Sequence, residues 1–117
     1  MDDNQACVEF HGEQTLRIAT DAAQRLIGAL NSHDVVVINC ENITFVDLSF
    51  IQVLLSARKS ARVRNKIISL KNRASGPLLA CLQSTGLLHA AIDGGGTADL
   101  QFWTNGVDAD VENNPHG

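Results

Sequence analysis

The chain has 117 residues, of which 44% are hydrophobic, enough for one compact domain with a buried core. No run reaches the roughly 18 consecutive apolar residues of a membrane span, and the start, Met1-Asp2-Asp3-Asn4-Gln5, is acidic where a signal peptide is basic and then apolar, so a soluble, cytoplasmic protein is expected. Three well-separated cysteines, Cys7, Cys40 and Cys81, argue against a disulfide framework or a structural zinc site and read as buried thiols.

In chain order, Val8 and Phe10 alternate with Glu9 and His11, Gly12-Glu13 offers a turn, and Leu16 and Ile18 flank Arg17. This pattern predicts a half-exposed hairpin at a sheet edge. Thr20 and Asp21 then open a first helix, with Ala23, Leu26, Ile27 and Leu30 on its apolar stripe and Asn31-Ser32-His33-Asp34 at its end. Val35-Val36-Val37-Ile38 is a continuous β-branched run that a strand carries only when both faces are covered, which makes it the central strand.

The stretch from Asn39 to Ser49 reads as a polar loop with Phe45 as an inward anchor. A second helix follows to about Arg64, turning Phe50, Leu54, Ala57 and Ala61 inward. Lys66-Ile67-Ile68-Ser69-Leu70 is a further buried strand, and strand, helix, strand fits a right-handed parallel crossover. Ser75-Gly76-Pro77 begins a third helix, with Pro77 in the first turn, Leu78, Leu79 and Leu82 buried, and Gly86 in the left-handed closing position.

Beyond Ile92, Gly94-Gly95-Gly96 and the polar ending read as linker and tail, broken by Phe102-Trp103, which is expected to fold back on the domain. The predicted organisation is therefore a domain over 1–92 and a tail over 93–117. The charge of −4 is unevenly spread. Arg58, Lys59, Arg62, Arg64, Lys66, Lys71 and Arg73 cluster with no acid among them, whereas the tail after Ile92 holds only acids. Such polarity favours an oriented protein partner.

The order of elements, the run Val35 to Ile38, the loop Ile43-Thr44-Phe45-Val46-Asp47, the helical Ile51-Gln52-Val53-Leu54-Leu55 and Thr85-Gly86-Leu87 together resemble the STAS family, typified by bacterial anti-sigma factor antagonists, over roughly residues 6 to 92. The resemblance implies an α/β fold with a mixed sheet of about four to five strands and helices packed on it. It also implies a non-catalytic signalling module that binds a regulatory kinase through the loop before the second helix. In such antagonists that loop reads Asp-Ser-Ser-Gly and its first serine is phosphorylated. Here the matching residues are Asp47-Leu48-Ser49-Phe50, and Leu48 has no hydroxyl.

The implied partner-binding residues are thus Thr44, Asp47, Leu48 and Ser49. Ser49 is the alternative phosphoacceptor, while Asp47 or Ser49 as a plain helix cap is the simpler role. Phe50 suits burial, and Leu48 suits exposure as an apolar contact. The variant also resembles stand-alone STAS proteins encoded with chemotaxis systems, which would make the partner a histidine kinase. Two alternatives are an antagonist that captures an anti-sigma serine kinase, and an accessory subunit docked on the ATPase of a lipid-transporting ABC complex.

Other chemistries find less support. The basic cluster lacks the interleaved aromatics of single-strand nucleic-acid binders and instead complements the dipole at a helix C-terminus. His11, His33, His89 and His116 show no metal-binding spacing, and no paired carboxylates or activated nucleophile emerge. No catalytic residue, metal or cofactor is expected, nor direct membrane insertion.

Overall fold

The computed structural model describes residues 5–86 and 102–104. Strand β1 (Gln5–Gln14) leads through a 3₁₀ turn (Leu16–Ile18) into helix α1 (Ala19–Ser32). Strand β2 (Val35–Val46), helix α2 (Leu48–Val63), strand β3 (Ile67–Leu70) and helix α3 (Gly76–Thr85) follow. The sheet order is β1-β2-β3 and both pairings are parallel, so each connection within it is a helical crossover.

β2 is central, as its β-branched run demands. Val36 and Ile38 are fully buried in the main core, and Val37, which alternation sends to the opposite face, is also buried. α2 packs Phe50, Ile51, Leu54, Ala57 and Ala61 inward, a spacing of three and four that forms one helical face. Phe50 meets Phe10 of β1 edge to face at 5.2 Å between ring centroids, and Arg25 of α1 covers Phe10 with its guanidinium 4.6 Å from the ring centre.

The expected N-terminal hairpin does not form. Gly12, at φ +74°, does not turn the chain back; it lies inside β1, where the pairing with β2 shifts register between Glu9 and His11 and again between Gly12 and Glu13. Glycine relaxes an irregularity in one long strand, which from sequence is indistinguishable from a turn. Leu16 and Ile18 consequently lie in the exposed 3₁₀ turn, at 72% and 39% of full exposure. The described residues form three strands, all parallel, in place of a mixed sheet of four to five.

β2 also runs on through the stretch expected as a polar loop, so that Ile43 and Val46 turn inward and Phe45 points out, 51% exposed. In α1 the buried stripe is Ala22, Leu26 and Leu30, with Ala23 and Ile27 half-buried. Of the three thiols read as buried, Cys81 is buried, Cys40 is partly so and Cys7 is exposed. Ile67 in β3 is 61% exposed while Ile68 and Leu70 are buried.

In α3 Pro77 sits in the first turn and Gly86 closes the helix at φ +76°, as expected, but the buried residues are Leu78, Cys81 and Leu82, and Leu79, expected in the core, is only half-buried. Phe102 and Trp103 pack into the core, and the Trp103 carbonyl accepts a 2.6 Å bond from the Ala74 N–H in the loop after β3. Residues 87–101 and 105–117, including Gly94-Gly95-Gly96, His89 and His116, lie outside the described residues.

Candidate docking site at the start of helix α2

The turn from β2 into α2 is held by a single carboxylate. Asp47 is extended (φ −111°, ψ 178°), and its Oδ1 accepts a 2.9 Å bond from the Ser49 N–H, closing one of the free donors at the helix start. Its Oδ2 accepts a 3.0 Å bond from the Leu16 N–H, a residue remote in sequence. The Asp47 N–H in turn donates to the Gln14 carbonyl at 3.2 Å, at the end of β1. Asp47 therefore caps α2 and also ties the turn to the strand and 3₁₀ turn beside it.

This arrangement leaves Leu48 no place in the core. It is the first helical residue, and Phe50 and Ile51 already take the inward positions. Leu48 remains 43% exposed on a backbone fixed from both sides. Beside it, between the end of β2 and α3, runs a surface groove of about 470 Å³ lined by Phe45, Val46, Asp47, Leu48, Pro77, Ala80, Cys81, Ser84 and Thr85. Phe45 and Leu48 supply its large apolar contacts, and the short side chains of α3 form the opposite bank. A mostly apolar surface groove beside a capped turn suits protein docking.

Of the four residues expected at the site, Asp47, Leu48 and Ser49 stand together at the helix start, whereas Thr44 is exposed on β2 and does not line the groove. Phe45 lines it instead, displaced outward by the extra length of β2. The α3 bank was not anticipated either, because nothing local in Pro77 to Thr85 marks which helix lies across from the turn. Ser49 is half-buried, with its N–H committed to Asp47.

The Cys81 thiol in the groove wall is pushed up from its ordinary value, first by burial and then by the Asp47 carboxylate. Burial alone pushes the Cys40 thiol up to about 12. Both stay protonated near neutral pH, and a thiol is a weak nucleophile compared with a thiolate. Among the described residues no group of histidines, cysteines and carboxylates could hold a metal ion, and no helix is long and apolar enough to cross a membrane.

A parallel three-stranded sheet crossed over by helices, with a capped strand-to-helix turn presented beside a groove, defines a small α/β domain of the STAS type. The chain belongs to the STAS family, since the family described as "Mlab, STAS domain" matches residues 1–92. Among solved structures, the fold is similar to that of SpoIIAA, the Bacillus cell-fate determinant, in its phosphorylated form, with a TM-score of 0.62 and 13% identity over 95% of this chain and 91% of that one. It is also similar to a sulfate transporter family protein from Wolinella succinogenes, with a TM-score of 0.59 and 19% identity over 91% of this chain and 80% of that one. No curated protein matches by sequence.

Proposed function

We propose that this protein is a non-catalytic, cytoplasmic signalling module that docks on a regulatory protein kinase through the turn at the start of α2, without the serine phosphorylation used by anti-sigma factor antagonists. The observation that carries the reading is Leu48, a large apolar side chain held 43% exposed at a rigidly capped helix start, where it shares a groove with Phe45. An exposed leucine on a mobile loop is unremarkable, but one on a backbone tied by three hydrogen bonds is preorganised, and preorganisation lowers the entropic cost of binding.

The same geometry weighs against a switch at Ser49. Its N–H is already satisfied by Asp47, so a phosphate on Ser49 would bring a second anion beside that carboxylate and disturb the cap. The kinase is of the histidine type in this reading, since the loop sequence is similar to that of STAS proteins encoded with chemotaxis systems.

The test uses the full-length protein immobilised against extract of its native cells, with mass spectrometry of what is retained, repeated with Leu48→Asp. An aspartate in the first helical turn suits the helix dipole, so this variant keeps its fold. A histidine kinase retained by the wild type and lost with the variant is the expected result. Stoichiometric phosphate on Ser49 with a serine kinase bound would replace this reading with the phosphorylated-antagonist one. Retention of a transport ATPase would replace it with the accessory-subunit one.

A further inference from the structure

From Leu48 to Ile92 the sequence holds seven lysines and arginines and no aspartate or glutamate. The structure sorts these cations by what they touch. Arg64 donates to Asn31 Oδ1 and Lys66 Nζ to the Leu30 carbonyl, so both fasten the connection between α2 and β3 to the end of α1. Lys71 faces Glu41 at 3.6 Å, and Arg73 lines a small pocket with that same glutamate. Arg58 lies over the Phe102 ring, 5.4 Å from its centroid. Lys59 and Arg62 have no such role: both are exposed, and among the described residues no carboxylate pairs with either.

Around these two cations runs a surface groove of about 560 Å³, whose described lining is Leu55, Arg58, Lys59, Arg62 and Val63. The positions follow a spacing of three and four on a face of α2 turned away from the buried stripe. Val63 is 78% exposed and Leu55 half-buried, so an aliphatic side chain stands at each end of the pair. The negative end of the helix dipole favours cations here, but it acts on charge alone and does not account for the aliphatic residues set among them. From Leu55 to Val63 the helix advances about 12 Å at 1.5 Å per residue, the length of roughly four residues of extended chain.

We propose that this face of α2 is a second docking surface, and that its occupant is an acidic segment of a partner protein with aliphatic residues between its carboxylates. The carboxylates meet Lys59 and Arg62, and the aliphatic groups cover Leu55 and Val63. Charge complementarity selects the occupant, since α2, β3 and α3 hold no acidic residue to compete for the cations. An anionic bilayer fits less well, because interfacial helices present a broad face of bulky apolar residues, and here one exposed valine and one half-buried leucine supply it. The pairs lie at the surface, so the contact weakens as salt is raised.

The test titrates the full-length protein with a short capped peptide of alternating glutamate and leucine, followed by backbone amide NMR at low salt. Saturable shifts at Leu55, Lys59, Arg62 and Val63 are expected. They should be lost when glutamine replaces glutamate in the peptide, and binding should weaken about tenfold in K59Q/R62Q, whose exposed substitutions leave amide positions away from α2 unchanged. Equal binding of the glutamine peptide, or shifts confined to Phe45, Leu48 and α3, would overturn the proposal. So would no response to the peptide; co-flotation with phosphatidylglycerol vesicles, abolished in K59Q/R62Q, would then assign the face to an anionic membrane. No kinase is present in this experiment, so its failure leaves the reading of Leu48 standing.

Discussion

The two halves of α2 both face solvent, yet they are built on opposite terms. At the N-terminal end the backbone is tied down by Asp47 and the exposed groups are apolar, Leu48 with Phe45 beside it. At the C-terminal end the exposed Lys59 and Arg62, with the half-buried Arg58, supply cations that complement the negative end of the helix dipole, beside the exposed Val63. The contrast teaches that one helix can offer a short-range, shape-dependent surface and a long-range, salt-sensitive one while sharing a single buried stripe. In general, surfaces of the first kind govern how tightly partners pack, and charged ones govern which partners approach.

The largest expected effect removes what the two halves share. Phe50→Ala vacates the fully buried contact with Phe10 and should cost about 3–5 kcal/mol of stability, measured by urea unfolding, since both surfaces depend on this packing. Next in size, Leu48→Asp should weaken partner binding by about 2 kcal/mol, near 30-fold, and leave the urea midpoint in place. Asp47→Ala separates scaffold from contact: it deletes the cap and the tie to Leu16, so stability should fall by about 1–2 kcal/mol in the same unfolding assay. The smallest effect belongs to the basic half, where Lys59→Ala should change stability by no more than about 0.5 kcal/mol, because Lys59 is exposed and pairs with no described carboxylate.

These expectations also mark what the sequence made legible. The central strand and the inward face of α2 followed from residue type and spacing, because burial on both sides or on one helical face leaves a periodic imprint. The caps of α2 and α3 were readable because Asp47, Pro77 and Gly86 act on their own local backbone. The position of Leu48 was inferred by elimination, its neighbours having already filled the core. What failed was long-range. Gly12 carries the same signature in a turn and in an irregular strand, and only the pairing with β2 decides between them. Phe45 is apolar, yet its face depends on how far β2 extends beyond Asn39, which no local pattern records. The α3 bank of the groove is a product of tertiary packing alone.

The most direct test of the proposed docking role is a calorimetric titration of the partner retained by the wild type with the wild-type protein and with Leu48→Asp, each checked for an unchanged urea midpoint. Affinity about 30-fold lower for the variant is expected. Equal affinity in two equally stable proteins would contradict it and would move the binding surface away from the start of α2.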